Sequence, residues 1–114
     1  MRIGSGLTVS YVSQDTSGLK GKLTELARKQ GIDESLFLAM LAKLDVAKVQ
    51  MEKDMSQLSA GQKKKVLLAM SICQNAHLHI WDEPMNYIDV ISRIQIEELL
   101  LQYQPTILFV EHVK

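Results

Sequence analysis

The fold is decided by residues 58–112, LSAGQKKKVLLAMSICQNAHLHIWDEPMNYIDVISRIQIEELLLQYQPTILFVEH. Residues 78–81 and 106–110 are apolar runs that favour buried strands, and residues 91–101 have the amphipathic pattern of a helix. Another helix is expected to begin at Ser59. Its apolar stripe comprises Val66, Leu67, Met70, Ile72 and Cys73. Helices and buried strands that alternate with short joins predict a parallel sheet with right-handed crossovers, and hence an α/β fold.

In the amino-terminal half of the chain, the spacing of apolar residues changes from a strand pattern to a helical pattern. Residues 7–13 alternate in the two-residue rhythm of a strand, and residues 19–44 have a helical pattern that breaks at Gly31. Asp33 is a suitable N-cap for the second of these helices. Residues 48–57 are polar and lack a clear period, so we interpret them as a connector. This half therefore predicts one strand followed by an inserted pair of helices.

Two adjacent acids, Asp82 and Glu83, close the first apolar run. The carboxyl ends of parallel strands form the edge at which such sheets bind ligands. Asp82 is therefore a candidate Mg²⁺ ligand, and Glu83 a candidate general base or water-positioning group, a role worth roughly 10²- to 10⁴-fold in rate. The alternative is that the pair caps a solvent-exposed turn before Pro84. The flanking motifs, residues 58–62 and 86–89, favour the catalytic interpretation.

Four residues, Ser59, Ala60, Gly61 and Gln62, form the turn that opens the later helix. The first backbone N–H groups of a helix are unpaired and carry partial positive charge, so a turn of small residues there is an anion site. The same residues also fit a simple capping box between Ser59 and Gln62. Residues 63–65 are three lysines, which could support phosphate binding but more often form a solvated helix face. Both interpretations of the turn stay open at this point.

Composition limits the class of protein. The chain has 114 residues with 13 basic and 13 acidic side chains, so no net field draws it towards nucleic acid or an anionic membrane. Its single cysteine, Cys73, fits a reducing compartment, and neither an export leader nor an apolar run of about 20 residues is recognisable. We therefore expect a cytoplasmic protein. His77 and His79 alternate along a strand, but no further Cys or His cluster supports a zinc site.

The order of these motifs resembles the second half of an ATP-binding cassette, or ABC, domain of the P-loop NTPase class. The resemblance implies that Gln14 is the Q-loop glutamine, which senses Mg²⁺ and the attacking water. It implies that Ser59 to Gln62 belong to the signature motif, which closes over ATP held by a second cassette. Asp82 and Glu83 match the Walker B aspartate and the catalytic glutamate. The implied cofactors are ATP and Mg²⁺.

The resemblance also assigns roles near the carboxyl terminus and divides the chain. Asp89 matches the D-loop aspartate that meets the other cassette, and His112 matches the switch histidine near the γ-phosphate. Residues 1–18 would form the end of the core sheet and the Q-loop, and residues 19–57 the helical subdomain with its connector. Residues 58–114 would hold the signature helix, the Walker B strand, the D-loop and the switch-histidine strand.

One branch of the family resembles this sequence most closely. Residues 59–65 and 81–99 resemble the second cassette of ABC-F proteins, particularly those linked to antibiotic resistance. Such proteins carry two cassettes on one chain, lack membrane spans and act on the ribosome. The departures from the usual pattern are Ala60, Met85, Tyr87 and Val113. No Gly-x-x-x-x-Gly-Lys-Ser/Thr phosphate loop occurs in the sequence, so the isolated chain is expected to be inactive as an ATPase.

Three functions remain open from the sequence. The first is part of a cytosolic ATPase that couples nucleotide binding to the ribosome. The second is the nucleotide-binding subunit of a transporter, which would need an apolar groove for a helix of its transmembrane partner. The third is an inactive domain retained for protein interaction. A second cassette in the same reading frame would favour the first function, whereas adjacent membrane-spanning genes would favour the second.

Overall fold

A four-stranded sheet organises the residues that the computed structural model describes, which are 2–3, 7–74, 76–86 and 88–111. The strands are β1 (Arg2–Ile3), β2 (Leu7–Val12), β3 (Leu78–Asp82) and β4 (Ile107–Val110). The α-helices are α1 (Leu23–Gln30), α2 (Glu34–Lys43), α3 (Lys48–Met51), α4 (Ala60–Cys73) and α5 (Val90–Tyr103), with a 3-10 helix at Met55–Gln57. The fold is thus α/β, as the sequence predicts. Among the described residues, no helix has the length and apolar character needed to cross a membrane.

The sheet has the strand order β1-β2-β3-β4. β2, β3 and β4 run parallel, with Ser10 paired to His79 and His79 to Ile107. The parallel core confirms the prediction from the alternating strands and helices. β1 pairs antiparallel to β2 and was not predicted, because two residues are too few to show a period.

The two faces of the sheet have different surroundings. Ser71 of α4 bonds to the side chains of Ser10, His79 and Trp81, so α4 lies on the face that these residues present. The opposite face carries the register row Tyr11, Ile80 and Leu108, of which the first and last are 49% and 53% exposed. On the more apolar face of β2, Leu7 and Tyr11 are therefore about half exposed although Val9 is buried, and the sequence alternation alone did not indicate this.

Local capping explains the helices before the connector. α1 begins at Leu23, four residues later than the pattern suggested, and ends at Gly31, whose φ of 67° lies in the left-handed region. Asp33 caps α2, as predicted, and accepts a hydrogen bond of 3.2 Å from the backbone N–H of Leu36. The connector is not irregular throughout, since it contains α3 and the 3-10 helix. Asp54 caps that 3-10 helix by accepting from the backbone N–H of Ser56.

The core lies between the sheet and the helices, and α4 runs through it. α4 packs against both β2 and α2, so most of its circumference is covered. The predicted stripe was only partly right. Val66, Leu68 and Ala69 are fully buried, whereas the stripe residues Leu67 and Met70 are half-buried against the core. A helix enclosed on two sides does not show a single apolar face.

Candidate functional site

The carboxyl ends of β2 and β3 lie side by side because these strands are parallel, with Val12 paired to Trp81. Asp82 is the last residue of β3, and Glu83 follows it directly. Gln14 lies two residues beyond the end of β2 and is exposed. The structure therefore brings the predicted Mg²⁺ residues and the predicted base to one edge of the sheet.

Asp82 is a half-buried acid that accepts a hydrogen bond from a tyrosine. The Oη–H of Tyr11 donates to Oδ2 of Asp82 over 3.0 Å. This bond raises the pKa of Tyr11, with smaller contributions from burial and from the charge of Asp82. Tyr11 lies in the row of Ile80, and Asp82 is two residues further along the same face of β3. Sequence reasoning missed Tyr11, because the contact depends on strand register.

Glu83 lies in a different environment from its neighbour. Its side chain is only 5% exposed, and its backbone has a φ of 49°, in the left-handed region. Its N–H donates to the carbonyl oxygen of Val110 over 2.9 Å, which fixes the turn against β4. Non-glycine residues seldom adopt this conformation, and such residues concentrate at functional sites. The alternative that both acids cap an exposed turn does not fit a buried Glu83.

Lys64 is buried beside this edge, contrary to the expectation of a solvated lysine face. It is 0% exposed, and its neighbour Lys65 is 9% exposed. The Nζ of Lys64 donates to the carbonyl oxygens of Ser13 over 3.3 Å and Gln14 over 3.4 Å. Burial lowers the pKa of Lys64, and the charges of Asp82 and Glu83 oppose that shift. No local sequence pattern indicated that Lys64 would be buried.

The turn before α4 forms the capping box that the sequence allowed. The N–H of Gln62 donates to the Oγ of Ser59 over 3.1 Å, and the N–H of Ser59 donates to the Oε1 of Gln62 over 3.2 Å. Ser59 and Ala60 are exposed, and Gly61 is half-exposed. The Oγ of Ser59 acts as an acceptor in the cap, so its hydroxyl proton can still be donated to a ligand. Capping and anion binding are therefore compatible at this turn.

A polar cavity of about 500 Å³ joins three of the predicted motifs. It is lined by residues 14–17, by Ala60 and Lys63 of α4, and by Asn86. Gln14 and the start of the signature-like turn thus share one cavity. Ser59, Gly61, Gln62, Asp82 and Glu83 do not line it.

Of the last two predicted site residues, the structure describes Asp89 but not His112. Asp89 caps α5 and accepts from the N–H of Ser92 over 3.2 Å. Its pKa is lowered chiefly by hydrogen bonds from Ser92, with a smaller contribution from the charge of Lys65. His112, the predicted switch histidine, lies outside the described residues. Its role stays a prediction.

His79 lies in β3, whereas His77 directly precedes the strand, and both histidines have protein partners. The backbone N–H of Thr8 donates to Nδ1 of His77 over 3.0 Å, and Nδ1 of His79 lies 2.9 Å from the Oγ of Ser71. Burial lowers the pKa of His79, which favours its neutral form. Ser71 also accepts from the Nε1–H of Trp81 over 2.9 Å. These contacts give His79 a structural role in the packing of α4 on the sheet.

The oxygen donors at the sheet edge fit Mg²⁺ shared with phosphate groups. Mg²⁺ is usually held by one or two carboxylates together with water and phosphate oxygens, rather than by a full cage of side chains. Asp82 offers a carboxylate and Gln14 an amide oxygen at the same edge. Within the described part of the chain, no group of three or more His, Cys, Asp or Glu side chains could hold a metal ion. Asp82 and Gln14 could thus supply two oxygen ligands to such an ion.

Comparison with known proteins places this site in a family context. Residues 4–86 match the ABC transporter family. The manganese transport system ATP-binding protein MntB of Bacillus subtilis is 36% identical over 101 residues, which cover 83% of this chain and 39% of MntB. The ATP-binding protein YdiF of the same bacterium is 33% identical over 113 residues, which cover 96% of this chain and 18% of YdiF.

The fold is also found among solved structures. A chain in the structure of ribosome-bound archaeal Pelota and ABCE1 matches with a TM-score of 0.71 and 26% identity, covering 91% of this chain and 18% of that one. The 114-residue chain spans only 18% to 39% of the length of these proteins. The similarity thus extends over nearly all of this chain but over a minor part of each relative.

Proposed function

Because the chain belongs to the ABC transporter family, we propose that it is the part of an ATP-hydrolysing cassette that carries the signature turn and the catalytic acids. The observation that supports this proposal most strongly is the sheet edge at which Asp82, Glu83 and the segment ending in Gln14 lie together. Glu83 is buried in left-handed backbone, whereas Asp82 is half-buried and hydrogen-bonded. These different surroundings suit different roles for the two consecutive residues.

Each residue at this edge has a distinct task in the proposed reaction. Asp82 and Gln14 supply oxygen ligands for Mg²⁺, and Glu83 orients the attacking water or accepts its proton. Bound Mg²⁺ neutralises charge on the phosphate oxygens of ATP. The burial of Glu83 limits its contact with bulk water, which suits a base that acts on one positioned molecule. His112 would complete the set near the γ-phosphate.

The exposed turn before α4 serves a second cassette in this proposal. Ser59, Ala60, Gly61 and Gln62 open a helix of 14 residues, whose N-terminus attracts anions. They would therefore bind ATP held by the phosphate loop of the other cassette. Asp89 is exposed at the start of α5 and would meet that cassette. The proposed partner is a second cassette, on the same chain or in a dimer.

We further propose that the whole protein is a cytoplasmic ABC-F factor that acts on the ribosome, of the type linked to antibiotic resistance. The amino-acid sequence of residues 59–65 and 81–99 supports this choice. A related structure, at 26% identity, contains ABCE1 bound to a ribosome. The ribosome is therefore the partner that we place first.

A transporter subunit is the second candidate, and one observation favours it. An apolar cavity of about 780 Å³ lies among α1, α2 and α3, and its lining includes Leu38, Val46 and Met51. An apolar groove of this kind could receive an amphipathic helix from a transmembrane transporter subunit. The relative MntB is the ATP-binding protein of a manganese transport system.

Sedimentation of a variant that binds ATP but hydrolyses it slowly separates these two candidates. In the full-length protein that contains this chain, Glu83→Gln removes the water-positioning base while the phosphate-binding groups stay in place. ATP favours the closed pair of cassettes because it binds that state better, so the closed form should persist. We expect the variant to co-sediment with ribosomes through sucrose when ATP is present and to be released when ATP is absent.

The matched control is Glu98→Gln, which changes an exposed acid on α5. This variant should hydrolyse ATP and show no ATP-dependent trapping. Recovery of the Glu83→Gln protein only with membranes would contradict the ribosome proposal and support the transporter subunit.

A further inference from the structure

Lys64 is a buried charged side chain to which the proposed roles assign no task, and its surroundings are unusual for a lysine. It is fully buried on the second turn of α4, although lysine is almost never fully buried unless it is paired. Removing an ammonium group from water is costly, so the groups around it must compensate. The contacts of Lys64 therefore indicate what its charge does.

Those contacts join three separate elements. The Nζ donates to the carbonyl oxygens of Ser13 and Gln14, which lie 3.3 Å and 3.4 Å away on the segment after β2. The same ammonium is attracted by the charges of Asp82 and Glu83 at the end of β3. Its backbone belongs to α4, five residues after the capping serine, Ser59. One side chain thus links the signature-like helix, the Gln14 segment and the acids.

The Gln14 segment has few other anchors to α4. Among the described residues, the other hydrogen bonds of residues 13–17 are local: the N–H of Asp15 donates to the Oγ of Ser13, the N–H of Ser17 donates to the Oδ1 of Asp15, and the N–H of Leu19 donates to the carbonyl oxygen of Thr16. Local bonds shape the segment but do not fix it to another element. Lys64 supplies a charged donor that does.

We propose that Lys64 is a positioning residue that ties the segment carrying Gln14 to α4, and so holds Gln14 at the sheet edge beside Asp82 and Glu83. Lys64 acts through the backbone carbonyls of residues 13 and 14. The inference rests on the proposed function, because it assigns Lys64 to the same Mg²⁺ and water site.

Hydrogen–deuterium exchange of the 114-residue chain tests the tether without any ligand. Lys64→Met keeps an unbranched side chain, one heavy atom shorter, and removes the charge and the donor. Loss of a charge-assisted anchor should speed exchange at the backbone amides of Asp15 and Ser17 by about tenfold, which corresponds to a loss of about 1.4 kcal/mol. Lys64→Arg retains a charged donor and should restore most of the protection.

Lys65→Met is the matched control, because Lys65 is also buried on α4 but its charge interacts with Asp89. Exchange at residues 13–17 should then equal that of the unaltered chain. If Lys64→Met does not fold, Lys64→Gln gives the same comparison with a shorter, neutral side chain. Equal exchange in the unaltered, Met and Gln proteins, or loss of protection in Lys65→Met as well, would overturn the inference.

Paramagnetic broadening by Mn²⁺, used as the probe for Mg²⁺, connects the tether to the site. In the unaltered chain we expect Mn²⁺ to broaden the NMR signals of the Gln14 side-chain amide and of residues 82–83. Lys64→Met should bind Mn²⁺ more weakly, so half-maximal broadening of these signals should need a higher Mn²⁺ concentration. An unchanged dependence on Mn²⁺ concentration in Lys64→Met would contradict a positioning role.

Asp82→Asn separates this inference from the proposed function. It should abolish the broadening throughout the site, since Asp82 is the proposed carboxylate ligand. If the unaltered chain shows no broadening, or Asp82→Asn retains it, the proposed metal site fails. The exchange measurement still decides whether Lys64 holds the Gln14 segment, so the two failures are distinguishable.

Discussion

Asp82 and Glu83 are consecutive residues with different surroundings, and the end of β3 explains the difference. Asp82 still follows the strand and accepts from Tyr11 on the face of Ile80. Glu83 turns into left-handed backbone and is buried. The sequence identified both acids, because an apolar run that ends in Asp-Glu is a local pattern. It could not identify Tyr11 or Lys64, whose contacts depend on strand register and on the packing of α4.

His79 should make the stability of the protein depend on pH. Burial lowers its pKa, so the unfolded chain, with an ordinary histidine pKa of about 6.5, binds the proton more readily than the folded chain. The stability contributed by neutral His79 is therefore complete above about pH 6.5 and is lost as pH falls towards the lower folded pKa. Urea unfolding midpoints between pH 7.5 and 5 should fall in the unaltered chain and fall less in His79→Gln.

The control for this measurement is His77→Gln, which changes an exposed histidine on the same part of the chain. Its unfolding midpoint should follow pH as in the unaltered chain. An identical pH dependence in His79→Gln and the unaltered protein would show that His79 does not carry the effect.

Whether a helix or strand could be predicted depended on the length of its sequence pattern and on its position in the fold. β3, β4, α4 and α5 were found within one or two residues, because β3 and β4 are apolar runs, α5 has an amphipathic pattern and Ser59 is a distinct cap for α4. The short β1 and α3 were missed, since so few residues show no period. The buried lysines of α4 were also missed. Their burial is set by the elements on either side, which local patterns do not report.

The cap of α4 gives a prediction that separates stability from ligand binding. Ser59→Ala removes the acceptor for the N–H of Gln62 and should lower the free energy of unfolding by about 1 kcal/mol. Ser59→Asp retains an acceptor at the N-cap and should keep most of that stability, while its negative charge should repel a nucleotide phosphate. Urea unfolding of both variants measures the first effect.

ATP binding by the full-length protein measures the second effect. Ser59→Asp should bind ATP more weakly although it folds as well as the unaltered protein. If Ser59→Asp binds ATP normally, the turn is only a helix cap. If Ser59→Ala is as stable as the unaltered chain, the capping bonds contribute nothing measurable.

For the whole molecule, the uncovered face of the sheet predicts self-association of the 114-residue chain. Tyr11 and Leu108 are about half exposed in one register row, and β4 lies at the edge of the described sheet. Exposed apolar surface and an unpaired strand edge both favour contact with another copy. Light scattering over a tenfold range of concentration should therefore show a rising mean mass.

Two charged substitutions locate the contact. Leu108→Lys should reduce the association, because it places a charge on the uncovered sheet face. Leu101→Lys makes the same change at an exposed position on α5 and should have little effect. A strictly monomeric chain at all concentrations would show that this face is not adhesive.

The arrangement of the whole site was predictable only in part. The sequence predicted that Asp82 and Glu83 would lie at the carboxyl edge of a parallel sheet, and the family resemblance assigned Gln14 to the same Mg²⁺ site. It did not indicate that Gln14 and Ala60 line one polar cavity, or that Lys64 connects them. Those relations involve residues about 50 positions apart and arise only when α4 packs beside β2.

The most direct measurement is ATP hydrolysis by the full-length protein with Glu83→Gln, compared with Glu98→Gln. If Glu83 is the base or water-positioning group, turnover should fall roughly 10²- to 10⁴-fold while ATP affinity stays within about twofold, since the phosphate-binding groups are unchanged. Glu98→Gln should leave both quantities unchanged, and the 114-residue chain alone should show no turnover, because its sequence has no phosphate loop. Undiminished hydrolysis by Glu83→Gln, or Mg²⁺-dependent turnover by the isolated chain, would contradict this assignment of the site.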